Sequence, residues 1–386
     1  MKHFAPIDGL RAWMSWWVVC QHLLSYCGFS VLYPNIFIRL LSMGGLAVMV
    51  FVIISGFVIA NLMLVRDEPY RLYIGRRFLR IYPLYFIAVL LALLLRDAYY
   101  DIISLAPWTD VANGQALLAE KQALPQHLLL HATLLHGLVP DILLSHASSS
   151  ILAPAWSLSL EWQFYLLAPL LLKATFDSRL SVQLPTSILL LISVVAVNSV
   201  TPMKQWNFPS FLPIVIGFFI LGMGTRVYLH HRTARTMILP ALIVIINFLF
   251  YCRNYTGGQL ISSSLPFFIW ALVIFCCIYN GGSVFLSAVQ RVLQIFLSSR
   301  RAVNMGLWSY STYLLHVPLF VLALTLARRL GAPVTMNAYF VILLAACVVL
   351  VPLSWFTYHF VEQKVMRWGT ARLMSAQGRD AERVTT

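Results

Sequence analysis

The chain has 386 residues, of which 60% are apolar and 10% are charged. Because a globular chain carries about 25% charged residues, this balance excludes an ordinary soluble protein, a disordered chain and a small disulfide scaffold. The net charge of +14 is first interpreted as charge that orients helices at a bilayer surface, so no nucleic-acid partner is predicted. The cysteines form no CxxC pair and no metal-ligand spacing, so no metal site is predicted.

Ten apolar stretches approach the roughly 20 residues that a helix needs to cross a bilayer. They lie near residues 10–30, 41–64, 82–96, 156–174, 185–201, 209–228, 237–252, 265–280, 307–327 and 338–360. The predicted fold is therefore an all-α, polytopic membrane protein with about ten transmembrane helices. Residues 1–365 are predicted to form one transmembrane domain, and residues 366–386 a short cytoplasmic tail.

Lysine and arginine residues are distributed unevenly between the two alternating sets of loops. If the N-terminus lies inside, the inside segments hold 20 of the 27 lysines and arginines, and the outside segments hold the other seven. Positive charge is enriched on the cytoplasmic side of membrane proteins. Both termini are therefore predicted to lie in the cytoplasm.

The first predicted span carries Asp8, Arg11 and His22. Arg11 and His22 are eleven residues apart, which on a helix places them on one face with about 16 Å between them along the axis. They are predicted to line one groove, with Asp8 close enough to pair with Arg11. Two alternatives stay open: Asp8 and Arg11 anchor the helix at the interface, and His22 is a buried structural histidine.

The segment before the third span reads RRFLRIYP and contains Arg76, Arg77 and Arg80 at the predicted membrane boundary. Guanidinium groups bind phosphate groups in a bidentate way, so the segment is a candidate phosphate site. The same charges could instead serve only as a positive-inside orientation signal. Charge alone does not separate the two interpretations.

The polar segment from about residue 97 to residue 154 is predicted to be an outer loop. Its stretch over residues 125–139 places His127, His131 and His136 among leucines, as in an amphipathic helix on a membrane surface. No carboxylate completes a recognisable metal motif there. A metal site is therefore not predicted in the loop.

Two later spans carry polar stripes. In WSLSLEWQFY, Ser157, Glu161 and Tyr165 follow one helical face, and in SYSTYLLHVP, Tyr313 and His316 share a face. A carboxylate at membrane depth needs a hydrogen-bond donor or must take up a proton. Such stripes also hold membrane helices together, so each of them fits a structural role or a catalytic one.

Several familiar catalytic motifs are missing from the sequence. It contains no HExxH, no Walker loop, no GxSxG elbow and no repeated pair of broken helices of the kind found in many transporters. Composition and spacing alone therefore indicate a polytopic membrane protein with an intramembrane histidine and glutamate and a cytoplasmic arginine cluster.

Taken together, the motifs resemble those of the acyltransferase 3 family, integral-membrane enzymes that O-acetylate O-antigens, other exopolysaccharides, peptidoglycan and some macrolides. The resemblance extends over most of the chain and rests on IDGLRA with His22 ten residues after its arginine, SGFVIA, RRFLRIYP, WSLSLEWQFYLLAP, YSTYLLHVP and HFVEQK. Lys364 stands where a proline often follows the glutamate, which weakens any assignment for Glu362. The chain is similar to the stand-alone type, which lacks an extracytoplasmic hydrolase-like domain.

The resemblance implies a bacterial inner-membrane O-acyltransferase with an acyl-CoA donor, acetyl-CoA by default, that arrives from the cytoplasm. The implied acceptor is a hydroxyl of a carbohydrate or glycolipid on the outer side. No permanently bound cofactor and no metal are implied. Any extracytoplasmic partner domain would be a separate polypeptide.

The resemblance and the residue pattern together suggest roles for individual side chains. His22 and Glu161 are the expected catalytic residues, with His22 acting either as general base or as an acylated intermediate. The expected donor-binding residues are Arg11, Arg76, Arg77 and Arg80. Further residues expected to line the pocket are Asp8, Trp156, Ser157, Tyr165, Tyr313 and His316.

Other functions are compatible with the same residues. A transporter or flippase would also need ionisable groups at membrane depth. An enzyme of the unrelated membrane-bound O-acyltransferase family would place its histidine late in the chain, where His316 lies. Within the acyltransferase 3 resemblance, the acceptor could also be a small molecule such as a macrolide.

Overall fold

The computed structural model describes residues 4–32, 35–108, 118, 120–200, 205–256, 258–279, 281 and 283–385. Within these ranges the regular structure is helical and contains no β-strand. Residues 109–117 and 119 of the predicted outer loop lie outside the described residues. Residues 1–3, at the start of the predicted domain, and residue 386, at the end of the predicted tail, also lie outside the described residues.

The helices follow one another along the chain as α1 (Ala5–Tyr26), α2 (Phe29–Leu32), α3 (Ile36–Leu41), α4 (Gly44–Val65), α5 (Tyr70–Leu94), α6 (Arg96–Leu105), α7 (Leu124–Thr133), α8 (Trp156–Thr175), α9 (Leu180–Val200), α10 (Leu212–His231), α11 (Ile238–Tyr255), α12 (Leu260–Ile278), α13 (Val284–Ser298), α14 (Arg300–Leu307), α15 (Ser309–Arg329), α16 (Met336–Thr357) and α17 (Gln363–Thr385). Short 3₁₀ turns lie at His136–Leu138, Ala153–Ala155 and Arg235–Met237.

The all-α, polytopic membrane architecture is confirmed. Among the described residues, eight helices are long and apolar enough to cross a bilayer: α4, α5, α9, α10, α11, α12, α15 and α16. The first and fourth predicted spans correspond to α1 and α8, which have 22 and 20 residues but are more polar than these eight. Of the helices that carry predicted site residues, α1 and α8 are thus outside this set of eight, whereas α5 and α15 are within it.

The third span begins earlier than the hydropathy of the sequence predicts. The helix α5 starts at Tyr70, twelve residues before the predicted start at residue 82. Arg77 and Arg80 therefore lie inside a 25-residue helix and not in a loop that precedes it. Their guanidinium groups are thus positioned by a membrane-spanning element.

Glycines allow the central helices to approach closely. A Cβ at Gly56 of α4 would collide with the backbone carbonyl of Phe219, and a Cβ at Gly222 of α10 would collide with that of Ile53. Without these side chains the backbones of α4 and α10 come into direct contact, which is a common way for membrane helices to associate. Gly306 of α14 likewise lies against the backbone of Asp8 and fixes the start of α1.

The bundle has two ends that differ in composition. We call the end at which α1 begins the N side, and the opposite end, which carries the described residues between 95 and 155, the loop side. At the loop side the indole nitrogen of Trp108 donates to the Tyr26 carbonyl at 3.0 Å, and Phe29 contacts Phe340 with 5.3 Å between ring centroids. The Trp108 contact folds the outer segment back onto the end of α1, and the Phe29 contact packs α2 against the start of α16.

The three loop histidines are buried rather than displayed on a surface helix. The helix α7 ends at Thr133, and the exposed fractions of His127, His131 and His136 are 0%, 1% and 0%. The amphipathic segment predicted over residues 125–139 therefore turns its histidines toward the protein. The segment lies behind the wall of a cavity described below, where His131 contacts the lining residue Ser150.

The predicted tail is a continuation of the last span. A π-helical turn at Tyr358–Glu362 joins α16 to α17, which extends to Thr385. Side chains of α17 lie along α5, where a Cβ at Gly75 would be 2.8 Å from the Leu373 side chain. The end of the chain thus covers the N-side part of the helix that carries the arginines.

The contact between α4 and α10 can be tested with two glycines of α4. In Gly56→Ala the added methyl meets the Phe219 backbone, whereas in Gly45→Ala it meets nothing within 4 Å. We expect Gly56→Ala to lower the free energy of unfolding by about 1–3 kcal/mol, the usual cost of overpacking. Thermal unfolding in detergent measures the effect, and equal midpoints for the two variants would contradict the contact.

Candidate active site

Two cavities enter the bundle from opposite ends and approach each other near its middle. The N-side cavity has a volume of about 360 Å³ and is bounded by α1, α4, α5, α8 and α15. The loop-side cavity has a volume of about 510 Å³ and lies among α1, α5, α6, α15 and the outer segment. Arg11 lines the N-side cavity and His22 lines the loop-side cavity. The predicted single groove from Arg11 to His22 is therefore divided in two.

His22 has one engaged and one free ring nitrogen. Its Nδ1 lies 3.0 Å from the carbonyl oxygen of Val18 and 3.2 Å from Nε2 of His316. A carbonyl oxygen can only accept a hydrogen bond, so Nδ1 carries the ring hydrogen and Nε2 carries the lone pair. No hydrogen bond to Nε2 is found among the described residues, so this lone pair is available to a molecule in the loop-side cavity.

His316 completes an oriented chain of hydrogen bonds. Its Nδ1 lies 2.8 Å from the Tyr313 carbonyl oxygen, so this nitrogen donates and Nε2 of His316 is left to accept from His22. The side chain of His316 is fully buried, and the two imidazole centroids are 4.9 Å apart. The chain from Tyr313 through His316 holds the His22 ring in place and would stabilise a positive charge on it.

Tyr313 and the start of α8 separate the two cavities. The Tyr313 hydroxyl lies 2.8 Å from both the Ser157 hydroxyl and the Pro154 carbonyl oxygen. Tyr313 and Ser157 line the N-side cavity, whereas Ala153 lines the loop-side cavity. We call Tyr313, Ser157 and Pro154 the septum. A group in the N-side cavity must pass the septum to reach His22.

Three of the four predicted donor-binding arginines face the N-side cavity. Arg11, Arg77 and Arg80 line it, and the Arg77 guanidinium carbon lies 5.6 Å from the centroid of the Tyr165 ring. This cation–π contact orients the guanidinium. The arrangement places three positive charges around one cavity within the membrane-spanning part of the fold.

The side chain of Arg76 does not line the N-side cavity. Its guanidinium forms an ion pair with Glu68 at 2.6 Å and also contacts the sulfur of Met374 at 3.6 Å. Helical periodicity alone does not separate Arg76 from Arg80, because residues four apart on a helix point only about 40° apart; the ion pair with Glu68 holds the Arg76 guanidinium away from the N-side cavity. Arg76 is therefore separated from the other predicted donor-binding residues.

Carboxylates from three parts of the chain accompany the arginines. Glu161 accepts hydrogen bonds from Ser55 at 2.6 Å and from the hydroxyl of Tyr165. Asp8 and Glu161 both act electrostatically on Arg11, and Glu362 acts on Arg80. The N-side cavity thus contains a network in which positive and negative groups are close to balance.

Glu362 was given no role by the sequence pattern, yet it belongs to this network. Its side chain is 2% exposed, it accepts a hydrogen bond from Ser311, and its second oxygen has no partner among the described residues. The HFVEQK motif was the signal for it. With lysine at position 364, Glu362 is still buried at the π-helical turn and close enough to act electrostatically on Arg80.

Glu161 and Trp156 do not contact His22. The hydrogen bonds of Glu161 are to Ser55 and Tyr165, and those of His22 are to Val18 and His316. Trp156 stacks on Phe208 with 5.5 Å between ring centroids and so supports the wall of the loop-side cavity from behind. His316, and not Glu161, is the side chain that orients His22.

The loop-side cavity combines aromatic rings with polar groups. Tyr26, Tyr99, Trp108 and Phe208 line it beside His22. Arg96 and Glu120 also line it and form an ion pair at 2.9 Å. Such a lining offers flat apolar faces and hydrogen-bonding groups to one ligand.

The buried loop histidines support this cavity. His131 and His136 stack with 4.0 Å between centroids, and His131 contacts Ser150, which lines the cavity, at 3.2 Å. Burial lowers the pKa of His136 to about 4. Burial, together with the neighbouring histidines, lowers the pKa of His131 well below its usual value. Among the described residues, no group of three or more His, Cys, Asp or Glu side chains could hold a metal ion.

Comparison with known proteins identifies the kind of chain to which these cavities belong. Residues 4–359 match the sequence profile of the acyltransferase domain of the acyltransferase 3 family. The acyltransferase MdmB of Streptomyces mycarofaciens is 27% identical over 310 residues, which cover 72% of this chain and 69% of that protein. No solved structure matches the chain.

The outer segment is expected to loosen in acid. An unfolded histidine has a pKa near 6.5, so an opened loop takes up a proton at His136 that the folded loop excludes until about pH 4. Folding of the loop is therefore fully favoured above about pH 6.5 and loses up to about 3 kcal/mol from His136 as the pH falls to 4.

Hydrogen exchange of residues 124–155 at pH 7 and pH 5, corrected for the intrinsic rates, measures this effect. We expect less protection at pH 5 in the wild type and in His230→Gln, an exposed histidine outside the cluster. His136→Gln should reduce the pH dependence. Equal protection of the wild type at both pH values would contradict the role of the buried histidines.

Proposed function

Because the chain belongs to the acyltransferase 3 family and is a multi-pass membrane acyltransferase, we propose that it transfers an acyl group from acyl-CoA to a carbohydrate hydroxyl. The donor, acetyl-CoA by default, enters the N-side cavity from the cytoplasm. The acceptor occupies the loop-side cavity and is a hydroxyl of an exported or cell-surface glycan such as O-antigen or exopolysaccharide. The observation that carries the proposal is the position of His22 in an aromatic cavity that faces an arginine-lined cavity across the septum.

The donor side is supported by charge. Arg11, Arg77 and Arg80 converge on the N-side cavity, and arginine is the side chain best suited to bind phosphate groups. The carboxylates of Glu161 and Glu362 balance the arginines in the absence of donor. The distribution of lysine and arginine favours the cytoplasm for this side, with the protein in the bacterial inner membrane.

The acceptor side is supported by the lining of the loop-side cavity. Aromatic rings such as those of Trp108 and Tyr26 provide flat faces for a sugar ring, and Arg96, Glu120 and Asn207 provide hydrogen-bonding groups. His22 lies in the same cavity. A hydroxyl bound there can approach the free Nε2 of His22.

The reaction follows from the hydrogen bonds of His22. Nε2 accepts the proton of the acceptor hydroxyl as its oxygen forms a bond to the thioester carbonyl carbon. The carbon–sulfur bond then breaks, and the CoA thiolate takes the proton from Nε2 and leaves as a thiol. The Val18 carbonyl and His316 stabilise the transient imidazolium through Nδ1. This arrangement favours general-base catalysis over acylation of His22, because Nε2 faces the acceptor cavity.

The septum has a separate role. The acyl thioester must pass Tyr313, whose ring centroid is 6.2 Å from that of His316. Displacement of the Tyr313 hydroxyl from Ser157 and Pro154 would open this short path. The septum thereby keeps the loop-side cavity closed to the donor until the thioester arm displaces it.

The role of His22 is tested in cells that make a suitable glycan. Base-labile O-acyl esters on extracted envelope polysaccharide are measured by NMR in cells with the wild type, His22→Ala, His230→Ala or no protein. We expect esters with the wild type and His230→Ala. We expect a loss of about 10²–10⁴-fold in initial rate with His22→Ala, as for removal of a general base.

The amount of each variant in the membrane is measured in parallel. Wild-type levels of ester in cells with His22→Ala would remove His22 from the proposed mechanism. Absence of ester with the wild type in every glycan fraction would contradict the carbohydrate acceptor and would favour a small-molecule acceptor, or transport without acyl transfer.

The role of the arginines is tested with two substitutions in α5. Arg77 lines the N-side cavity, whereas Arg71 is exposed and lines none of the cavities described. A lost hydrogen bond to a charged group costs about 1.5–3 kcal/mol, so Arg77→Ala should raise the KM for acetyl-CoA by roughly 10- to 100-fold. Arg71→Ala should leave it unchanged. Equal KM values for the two variants would show that Arg77 serves only orientation in the membrane.

A further inference from the structure

A second cavity opens on the N side, next to the one that contains the arginines. We call it the side cavity. It has a volume of about 690 Å³ and is bounded by the end of α4, the start of α5, the end of α8 and the end of α10. None of the sequence motifs discussed above accounts for it.

The side cavity adjoins the N-side cavity. Leu62 lines both of them. Tyr73 lines the side cavity, and the charges of Arg77 and Glu161 in the N-side cavity act on it. A ligand that occupied one cavity could therefore extend into the other past Leu62 and Tyr73.

The hydroxyl oxygen of Tyr73 is unusual because it is buried without a hydrogen-bond partner among the described residues. The Tyr73 side chain is 2% exposed. A buried polar group without a partner costs about 1–3 kcal/mol, so native proteins keep few of them. The hydroxyl at the junction of the two cavities is therefore placed to bind a ligand that passes through it.

The lining of the side cavity has the chemistry of a nucleotide site. Arg66, Lys173 and His231 are exposed residues that line it, and Phe176 contributes an aromatic ring. Hydroxyl groups are supplied by Ser178, Thr233 and Thr236. Cations and hydroxyls suit a phosphate group, and an aromatic ring suits the flat face of a purine.

The acidic residues that line the side cavity do not offset its positive charge. Glu68 lines it but is paired with Arg76 at 2.6 Å. Arg76, which is absent from the N-side cavity, thus neutralises a carboxylate at the wall of the side cavity. Asp67 is the other acid in the lining, against the cations Arg66 and Lys173.

The N-side cavity and the side cavity also differ in volume. Pockets that hold drug-sized ligands have volumes of about 300–1,000 Å³, and the N-side cavity, at about 360 Å³, is near the lower limit. Coenzyme A is an elongated molecule with a nucleotide at one end and the thiol at the other. The N-side cavity is suited to the arm and the diphosphate, and the nucleotide needs further space.

We propose that the side cavity binds the 3′-phosphoadenosine end of the acyl-CoA donor. In this arrangement the ring of Phe176 contacts the adenine, Lys173 and Arg66 bind the 3′-phosphate, and the Tyr73 hydroxyl binds the donor at the junction. The diphosphate lies among the arginines of the N-side cavity, and the arm points to the septum. This inference rests on the proposed function for the identity of the donor.

The first test measures binding to the purified full-length protein. The probe is adenosine 3′,5′-bisphosphate, which carries the nucleotide end of the donor and has no thioester. We expect the wild type and Arg235→Gln to bind it equally, because Arg235 is exposed and does not line the side cavity. Lys173→Gln should bind it at least roughly tenfold more weakly, as for a lost charge-assisted hydrogen bond.

The second test compares acetyl-CoA, acetyl-3′-dephospho-CoA and acetyl-pantetheine as donors. Lys173→Gln should reduce the preference for acetyl-CoA over the dephospho donor, and Phe176→Ala should reduce the preference for the dephospho donor over acetyl-pantetheine. The two variants should retain wild-type kcat/KM with acetyl-pantetheine. A variant that loses activity equally with all three donors would indicate a general structural defect and would contradict the proposed subsite.

The outcomes separate the subsite from the proposed function. Binding of the bisphosphate that depends on Lys173, without acetyl transfer from any donor, would support the subsite and contradict the proposed function. Transfer from acetyl-CoA with unchanged donor preferences in both variants would contradict the subsite and leave the function intact. Failure of the wild type to bind the bisphosphate, with stabilisation by vesicles of anionic phospholipid that Lys173→Gln abolishes, would assign the side cavity to a lipid headgroup.

Discussion

The placement of three partly buried arginines inside an apolar bundle is the constraint on which the site depends. A charged side chain in the middle of a membrane helix costs about 2.5–3.5 kcal/mol on insertion scales, so Arg11, Arg77 and Arg80 need partners that the lipid cannot supply. The carboxylates come from three different elements: Asp8 of α1, Glu161 of α8 and Glu362 at the end of the last span. Satisfying the charges therefore draws distant parts of the chain to one cavity.

The same constraint explains which helices are polar and how they are held. Both α1 and α8 have the length of a membrane span but carry the groups of the site, so their apolar surface alone would hold them weakly in lipid. For α1, close backbone contacts compensate, because Gly306 fits against the backbone of Asp8 and Gly9 against that of Leu297. Gly56 and Gly222 bring α4 and α10 together next to the N-side cavity. Backbone contacts between helices thus help to hold α1 and the neighbours of the site in place.

Much of the fold could be predicted from the sequence, because hydropathy and helix length dictate membrane spans. The motifs also identified Arg77, Arg80, His22 and His316 as residues of interest. The contact between His22 and His316 could not be predicted, since it joins positions 294 residues apart and depends on how α1 and α15 cross. The direction of Arg76 depends on its pairing with Glu68, and the start of α5 at Tyr70 is earlier than hydropathy predicted. The partners of Glu161 depend on Ser55 in another helix. Periodicity places residues on a face but does not say what that face meets.

The division of the site into two cavities has a consequence for the energy supply of the cell. A polar cavity that entered from each face of the membrane and met the other would form a conduit for ions, and protons could move along it from one imidazole to the next. The Tyr313 hydroxyl, held by Ser157 and Pro154, and the tight fit of His22 against His316 close this conduit at its narrowest point. A membrane protein with two such cavities must therefore remain electrically sealed. In the proposed function, the neutral arm of the donor would fill the path whenever it is open and so would keep the seal without a second gate.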